Sequence, residues 1–347
     1  MLEGRRRGWV RAVAAALTAF GLATQPGQAL AAARGPSPAS PETIPAPRSH
    51  EVHARSGPVP EDRTELAAFA TAPFPYDGKV PRTNARFLDT VVEGRRGHRS
   101  KRGRVFWEES TYSDNRVLLH IPEKFDSRRP SVMIVFFHGH GATLERDVRD
   151  RQRVPEQISS SGANAVLVAP QFAVDAPDSS AGKFWQPGAC RRFLDEAAVE
   201  LARLHGDPRT ARTFQAVPIV VVAYSGGYLP AAWCLSAGGL DARVRGVVLL
   251  DALYGELDTF ANWIANSKSA FLVSAFTSST RGNHAQLASM IAGRNVPVSH
   301  ELEKSLERGG LALLSAPPTV RHRDFVTYAW AERPISDLLG RLREYPR

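Results

Sequence analysis

Short apolar runs that alternate with helical segments constrain the fold of this chain more than any other feature. The runs are rich in Val, Ile and Leu and cover residues 132–137, 165–169, 219–223, 244–250 and 270–275. Continuous apolar runs of this length are typical of strands that are buried on both faces of a parallel sheet. Helical patterns lie between or beside them, at 192–204, 229–237, 257–265 and 284–292. This alternation predicts a doubly wound, mostly parallel α/β sheet, which binds ligands where loops leave the carboxyl ends of its strands.

Further segments extend the pattern at both ends. Residues 86–93 and 104–109 predict early strands, and a last strand at 311–314 is followed by a closing helix at 335–342. The basic loop at 95–102 is interpreted as a solvated connection of a hairpin. A binding surface for an anionic partner is the alternative for that loop.

A serine lies at the turn between the strand that ends at Ala223 and the helix that follows. The turn reads Tyr224-Ser225-Gly226-Gly227, so small residues stand two positions before and two positions after the serine. This matches the nucleophile-elbow pattern, with Ala in place of the first Gly. Small residues are needed because the elbow backbone is strained, and the helix N-terminus favours developing negative charge. The alternative is a tight turn whose serine only caps the helix.

A glycine-rich loop follows the strand at 132–137 and reads His138-Gly139-His140-Gly141. Glycines allow the backbone to approach a ligand closely. In the elbow pattern, this loop and the residue after the nucleophile each donate one backbone N–H to an oxyanion. The expected donors are His140 and Gly226. A metal site on His138 and His140 is the alternative, but no third ligand follows at a suitable spacing.

These motifs together resemble the α/β-hydrolase superfamily. Besides the two glycine-containing turns, the resemblance rests on Pro122, on Phe125-Asp126 and on a strand that ends at Asp251. The first half is similar to exported hydrolases of the polyester-depolymerase and feruloyl-esterase types. The resemblance covers about residues 105–340, and it implies a triad in the order serine, acid, histidine.

The order of the triad limits the choice of acid. The usual acid position follows the strand at 270–275, but residues 276–280 contain no carboxylate. The resemblance therefore implies an acid displaced to Asp251, at the end of the preceding strand. Glu256 and Asp258 are the weaker alternatives.

The order of the triad also limits the choice of base. Three histidines follow the acid, at positions 284, 300 and 322. His322 lies in the loop after the last predicted strand, where the superfamily places its catalytic histidine. His322 is therefore the expected base, and His284 is the alternative.

Five aromatic residues lie in loops or helix starts above the predicted sheet: Phe184, Trp185, Tyr254, Phe260 and Trp263. An apolar cleft is typical of a small-molecule site, and Trp185 and Tyr254 are the residues expected to bind substrate. Ordinary core packing is the alternative for all five. The sequence contains no phosphate loop, dinucleotide fingerprint or metal cluster, so no cofactor and no metal are expected.

The N-terminus predicts export. Arginines at 5–7 precede an apolar run at 12–23, and Ala29-Leu30-Ala31 supplies the small-x-small pattern of a signal peptidase site. Residues 1–31 are therefore predicted to be a signal peptide, and residues 6–11 also resemble a twin-arginine signal. The alternative is an amphipathic N-terminal helix that stays attached.

The segment after the predicted signal peptide is rich in proline. Residues 32–62 cannot bury enough apolar surface to fold, so they predict a flexible or extended linker before a single domain at 63–347. Residues 1–31 carry four arginines and one glutamate, and their removal lowers the net charge from +9 to +6. A mildly basic chain without a nucleic-acid module predicts no nucleic-acid partner. We expect a periplasmic or secreted protein with no stable membrane anchor.

The chain has two cysteines, Cys190 and Cys234. Each lies on a predicted helix beside the strand at 219–224, and the two could pair in an oxidising compartment. Two buried thiols that act as small apolar residues are the alternative.

The sequence as a whole predicts a serine hydrolase that cleaves a carboxylic ester, in a small molecule or a polymer, through an acyl-enzyme. A peptidase or an acyltransferase would use the same residues. A non-catalytic envelope binding protein could keep the same fold, although the fold alone does not require a serine, an acid and a histidine at these positions.

Overall fold

The computed structural model describes residues 62–100, 102–267, 269–306 and 309–347. The predicted signal peptide at 1–31 lies outside these residues, as does the predicted linker at 32–62 except for its last residue. Within the described part of the chain, no helix is both long enough and apolar enough to cross a bilayer.

The described residues form a nine-stranded sheet and a separate three-stranded sheet. The strands are β1 (Arg63–Ala68), β2 (Thr90–Val92), β3 (Arg95–Arg99), β4 (Val105–Trp107), β5 (Arg116–Ile121), β6 (Val132–Phe137), β7 (Ala165–Pro170), β8 (Ile219–Tyr224), β9 (Val244–Leu250), β10 (Phe271–Phe276), β11 (Val298–Ser299) and β12 (Gly310–Ser315). The large sheet has the spatial order β1-β5-β7-β6-β8-β9-β10-β12-β11. Only β5 runs antiparallel to its neighbours among the strands described in this sheet. This order, with one reversed strand in the second position, is the α/β-hydrolase topology, and the predicted fold is confirmed.

Both faces of the large sheet are buried. On β6, Met133, Val135 and Phe137 pack into one apolar cluster, whereas Val132, Ile134 and Phe136 pack into the other. Successive side chains of a strand point to opposite faces, so a continuous apolar run fills two cores at once. The central strands therefore hold their carboxyl-end loops at fixed positions along one edge of the sheet.

Helices cover the two faces. They are α1 (Glu108–Thr111), α2 (Val154–Ser160), α3 (Ala189–His205), α4 (Ala211–Ala216), α5 (Tyr228–Ala237), α6 (Leu257–Asn266), α7 (Arg281–Ile291) and α8 (Pro334–Leu339), with a π-helical segment at Leu144–Arg151. Buried residues of α3 to α7 belong to one core, and those of α2 and α8 belong to the other. The long helix α3 ends at Gly206, whose φ of +86° is the left-handed conformation that glycine adopts readily at a helix end.

The early β region differs from its prediction. The strand expected at 86–93 is only three residues long, and the strand expected at 104–109 gives way to α1 at Glu108. The basic loop expected at 95–102 contains β3, which is the central strand of the small sheet. The arginines of this segment are typical of a solvated loop, so the sequence does not predict a strand here. In the structure, Arg95 stacks over Trp107 and Arg96 pairs with Glu108.

The two cysteines form a disulfide. Cys190 lies in the first turn of α3 and Cys234 lies in α5, with a Cα–Cα distance of 5.6 Å. Helices α3 and α5 contact each other, as the sequence predicts, and α5 lies against β8. The alternative of two free buried thiols is wrong. The disulfide connects the helix that follows Ser225 to the start of the longest helix.

Candidate active site

Ser225 lies at a sharp turn between β8 and α5. Its φ is +51°, a left-handed conformation that is unfavourable for a residue with a side chain, and it begins a single 3₁₀ turn at Ser225–Gly227. The turn fits only because its neighbours lack side chains. A Cβ on Gly227 would lie 2.4 Å from the carbonyl oxygen of Phe137, and one on Gly139 would lie 2.9 Å from Ser225 Cβ. Close packing of bare backbone thus fixes the position of the Ser225 hydroxyl.

Three side chains from separate parts of the sequence meet at this turn. Ser225 Oγ lies 2.8 Å from His322 Nε2, and His322 Nδ1 lies 2.7 Å from Asp251 Oδ2. A carboxylate only accepts hydrogen bonds, so an ionised Asp251 requires the proton of the imidazole on Nδ1. Nε2 is then free to accept the hydroxyl proton of Ser225, which is the arrangement that a general base requires.

Asp251 is fully buried, at 0% exposure, at the carboxyl end of β9. The N–H of Thr277 and the hydroxyl of Thr280 donate to its Oδ1, each at 3.1 Å, and the hydroxyl of Thr277 donates to its Oδ2 at 3.1 Å. Burial alone would raise the pKa of Asp251. The hydrogen bonds from His322, Thr277 and Thr280 outweigh burial and hold that pKa below its usual value. The Asp251 carboxyl group is therefore ionised at neutral pH.

Two tyrosines hold the ring and backbone of His322. The Tyr224 ring stacks on the imidazole with centroids 5.3 Å apart, and its hydroxyl donates to the His322 carbonyl at 3.1 Å. Tyr254 approaches from another side, with its hydroxyl 3.4 Å from His322 Nδ1. His322 itself begins a short 3₁₀ turn, and 41% of its side chain is exposed. The His322 imidazole is thus accessible to solvent and contacts the rings of Tyr224 and Tyr254.

The His138–Gly141 loop lies against the nucleophile turn. The buried His138 ring accepts the N–H of Phe172 at 2.8 Å, and the Gly141 N–H donates to the Ala176 carbonyl at 2.9 Å. The backbone hydrogen bonds formed by the described residues include none from the His140 N–H. Gly226 is the second residue of the 3₁₀ turn that begins at Ser225, and the first N–H groups of a helical turn have no acceptor within it. These two N–H groups are available to an anionic oxygen beside Ser225.

The alternatives for the acid and the base lie elsewhere. Glu256 forms an ion pair with Arg82, and Asp258 is exposed on α6. His284 is buried, and its ring hydrogen-bonds Ser274 Oγ at 2.7 Å and the Thr280 carbonyl at 2.8 Å. Burial lowers the pKa of His284. His284 therefore supports the loop that carries Thr280 and does not contact Ser225.

The five aromatic residues predicted to line a cleft lie in different environments. Phe184 and Phe260 are fully buried core residues, so for these two the cleft interpretation is wrong. Trp263 lines a surface groove of about 650 Å³ between α5 and α6, to which neither Ser225 nor His322 contributes. Trp185 is 7% exposed and packs against Tyr76 and Phe87.

Tyr254 is the member of this set that lies beside the triad. This residue is 43% exposed, and its hydroxyl lies next to His322. Substrate binding by Trp185 and Tyr254 stays a prediction.

The metal alternative for His138 and His140 finds no support in the geometry. Burial lowers the pKa of His138 to about 4, and its Nε2 lone pair already accepts a backbone N–H. Within the residues that the structure describes, no group of three His, Cys, Asp or Glu side chains is placed to hold a metal ion. His138 instead holds the glycine-rich loop against the segment that follows β7, through the N–H of Phe172.

Sequence reasoning missed the residues that support the triad. Tyr224, Thr277 and Thr280 contact His322 or Asp251, and Ser179 lies 2.6 Å from His140. Tyr224 stands next to the serine, so its position was a usable signal. Thr277, Thr280 and Ser179 give no such signal, because a run of Thr and Ser after a strand is also typical of an ordinary loop.

No protein-family model and no curated protein matches the sequence. Several solved structures are similar in fold. They include a mutant of the feruloyl esterase module from Clostridium thermocellum, at 15% identity over 65% of this chain and 82% of that chain with a TM-score of 0.44. An S-formylglutathione hydrolase from Agrobacterium tumefaciens is 12% identical over 73% of this chain and 98% of its own, with a TM-score of 0.40. A Pyrobaculum calidifontis esterase is 14% identical over 65% of this chain and 80% of its own, with a TM-score of 0.37. The fold follows from the strand order given above, independently of these likenesses.

Proposed function

We propose that this chain is a serine hydrolase that cleaves carboxylic esters through an acyl-enzyme intermediate. One observation supports this function above all. A serine in a left-handed elbow lies 2.8 Å from a histidine, which in turn lies 2.7 Å from a buried carboxylate. A structural serine needs neither an aligned base nor an ionised acid behind it.

In the acylation half of the proposed reaction, Ser225 Oγ attacks the ester carbonyl carbon while its proton passes to His322 Nε2. The carbonyl oxygen becomes an oxyanion and accepts hydrogen bonds from the N–H groups of His140 and Gly226. When the tetrahedral intermediate collapses, the bond to the alkoxy oxygen breaks and Nε2 returns its proton to the leaving alcohol. Asp251 holds the Nδ1 proton and stabilises the imidazolium throughout, without becoming protonated.

In the deacylation half, water takes the place of the alcohol. His322 Nε2 removes a proton from the water as its oxygen attacks the acyl carbon, and a second oxyanion forms at the same two N–H groups. Collapse breaks the bond to Ser225 Oγ, which recovers its proton from Nε2. The carboxylic acid leaves and the free enzyme is restored. The proposed substrate is an ester of a small molecule or of a polymer.

Covalent labelling tests the nucleophile directly. The purified protein is treated with a fluorophosphonate, and intact mass and peptide mapping then locate the adduct. We expect one adduct per chain, on Ser225, because an activated serine attacks phosphorus as it attacks a carbonyl carbon. Labelling is expected to disappear in Ser225→Ala and to become very slow in His322→Ala.

Turnover of p-nitrophenyl acetate provides the matching activity test. We expect kcat to fall by about 10⁴-fold or more in Ser225→Ala, since the members of a triad act as a unit. Ser236→Ala is the matched control, because Ser236 is an exposed serine on α5 and away from the turn. Folded wild-type protein that takes up no fluorophosphonate and turns over no ester contradicts the proposed function.

A substrate panel separates ester hydrolysis from related chemistry. Aryl esters, alkyl esters, a polyester film and a peptide anilide are compared, with and without an added alcohol as acyl acceptor. Hydrolysis of esters with little cleavage of the anilide agrees with the proposal. Faster cleavage of the anilide, or transfer to the alcohol in preference to water, would assign the same residues to a peptidase or an acyltransferase.

We also propose that the protein is exported to the periplasm or beyond the cell. The basic and apolar pattern of residues 1–31 supports export, as does a disulfide between the two cysteines, which is typical of oxidising compartments. N-terminal sequencing of the protein from periplasmic and extracellular fractions tests this. We expect a chain that begins at residue 32, and a chain found only inside the cell with Met1 intact contradicts export.

A further inference from the structure

Ser179 lies beside the expected oxyanion donor Gly226. It belongs to the loop that follows β7, and its Oγ lies 2.6 Å from His140 Nε2. A Cβ on Gly226 would lie 2.8 Å from Ser179 Oγ and 2.3 Å from His140 Cδ2. The hydroxyl and the imidazole therefore cover the Cα of the residue whose N–H faces an incoming oxyanion.

Contacts on both sides of Ser179 fix the backbone of its loop. Asp178 accepts hydrogen bonds from the buried Tyr112 hydroxyl at 2.7 Å and from the Ser180 N–H at 2.9 Å. Nearer the start of the loop, the Ala176 carbonyl accepts the Gly141 N–H at 2.9 Å. Asp175 forms an ion pair with Arg146 at 2.9 Å. These contacts anchor the loop without using the Ser179 hydroxyl, which points to His140 and Gly226.

His140 is suited to orient this hydroxyl. Desolvation beside the nucleophile turn lowers the pKa of His140, so its ring is neutral at pH 7. In the Nε2–H tautomer, the ring donates to Ser179 Oγ, and the hydroxyl hydrogen of Ser179 is then available to another acceptor. The nearest place where negative charge develops in the proposed reaction is the oxyanion at Gly226.

We propose that Ser179 is a catalytic residue that donates a third hydrogen bond to the oxyanion, and that the His140 side chain is its positioning residue. This inference rests on the proposed ester hydrolysis and extends it, since the two expected donors are backbone N–H groups. A donor aimed at the transition state raises kcat with little effect on substrate binding. Removal of one such donor typically lowers kcat by about 10²-fold to 10³-fold, and we expect about 10-fold to 100-fold where two donors remain.

Ser179→Ala is compared with Ser180→Ala, which removes a hydroxyl from the neighbouring residue. The Ser180 hydroxyl donates to Asp178 at 2.8 Å and does not face the nucleophile turn. We expect kcat of Ser179→Ala to fall 10-fold to 100-fold with KM unchanged, and kcat of Ser180→Ala to stay within about twofold of wild type. Ser179→Thr keeps the hydroxyl and is expected to recover most of the activity.

A trifluoromethyl ketone supplies a readout that a structural role would not change. It forms a tetrahedral adduct on the nucleophile whose oxyanion occupies the same position as in the reaction. We expect its inhibition constant to weaken in Ser179→Ala by the same factor as kcat. His140→Phe keeps a ring over Gly226 and keeps the backbone N–H, and its loss of kcat is expected to be non-additive with Ser179→Ala in the double variant.

The outcomes separate this inference from the function on which it rests. Equal kcat and equal ketone inhibition in Ser179→Ala and Ser180→Ala overturn the role of Ser179, while a fluorophosphonate adduct on Ser225 leaves the hydrolase function intact. A wild-type protein with neither adduct nor turnover overturns both. A fall in kcat that Ser179→Thr does not recover also contradicts a hydrogen bond from the hydroxyl.

Discussion

The two halves of the candidate site are held in different ways. Ser225 and its glycine neighbours are fixed by contact between bare backbone segments, with Gly227 against Phe137 and Gly139 against Ser225. Asp251 and His322 are fixed by hydrogen bonds and ring contacts from residues far away in sequence. Ser225 is 8% exposed, whereas 41% of the His322 side chain is exposed.

This difference predicts opposite sensitivities. The nucleophile half has no room for an added methyl group, but it depends on few side-chain hydrogen bonds. The acid–base half has space around His322, but its alignment depends on hydroxyl and carboxylate groups. Substitutions that change volume should therefore affect the first half most strongly, and substitutions that remove one hydrogen bond should affect the second.

After the loss of kcat expected for Ser225→Ala, the largest expected effect is a loss of kcat when Asp251 is replaced. Asp251→Asn keeps the shape of the side chain, but its amide does not hold the imidazole in the tautomer that leaves Nε2 free. We expect kcat for p-nitrophenyl acetate to fall by about 10³-fold to 10⁴-fold. Asp258→Asn, at an exposed aspartate on α6, is the control and should leave kcat unchanged. A loss of less than tenfold in Asp251→Asn would remove Asp251 from the triad.

The next largest effect is on stability through the nucleophile half. Gly227→Ala places a Cβ 2.4 Å from the Phe137 carbonyl oxygen, and a backbone obstacle does not move aside as a side chain does. We expect a loss of about 3 kcal/mol in the free energy of unfolding, measured by urea denaturation. Gly282→Ala is the matched control in α7, where a Cβ would meet nothing within 4 Å. It should be neutral or stabilise the protein by about 0.5 kcal/mol. Equal free energies of unfolding for Gly227→Ala and Gly282→Ala would contradict the close packing of Gly227 against the Phe137 backbone.

A smaller effect tests the hydrogen bonds on the acid. Thr277→Val keeps the volume but removes the hydroxyl that donates to Asp251 Oδ2, and we expect a loss of about 2 kcal/mol in the free energy of unfolding at pH 7. The folded pKa of Asp251 is below 3.8, so stabilisation of its carboxylate is complete above that value and is lost as pH falls through the folded pKa. Urea denaturation from pH 7 downward should therefore show the difference between variant and wild type shrinking below pH 3.8. Thr277→Ser keeps the hydroxyl and should behave as wild type, and a difference that does not depend on pH would assign the effect to packing.

The smallest expected effect is a change in kcat when Tyr224, which contacts His322, is replaced. Tyr224→Phe keeps the ring that stacks on His322 and removes the hydroxyl that donates to the His322 carbonyl at 3.1 Å. A typical hydrogen bond contributes about 1 kcal/mol, so we expect kcat to fall about fivefold or less. Tyr224→Leu removes the stacking as well and should lower kcat further. No change in either variant would mean that the 3₁₀ turn at His322–Asp324 positions His322 without help from Tyr224.

The same contrast explains how much of the molecule is predictable from the sequence. The central strands could be predicted closely because continuous apolar runs have few other uses in a chain of this length. The elbow at Ser225 could be predicted because all its requirements lie within five residues. The resemblance to the superfamily implied a candidate acid displaced to Asp251, because the loop after β10 contains no carboxylate.

The remaining features depend on contacts that no local pattern encodes. β3 was missed because its arginines are compatible with a strand only when Trp107 and Glu108 pack beside them. β1 was missed because Arg63–Ala68 has weak strand propensity and forms an edge strand by pairing with β5. For Phe184 and Phe260 the sequence leaves a cleft and core packing open, because an aromatic residue near a loop has the same sequence signal whether it faces solvent or the core.

The disulfide has a consequence for limited proteolysis. Cys190 and Cys234 are 44 positions apart, and Ser225 lies between them, so the nucleophile belongs to a covalently closed ring. Arg209 lies in the same ring on an exposed turn, with 91% of its side chain accessible. A single trypsin cut after Arg209 would add the mass of one water and leave one band on a non-reducing gel. Reduction would then release the fragment that carries Ser225. A fluorophosphonate label would therefore appear on a separate, smaller band only after a thiol is added.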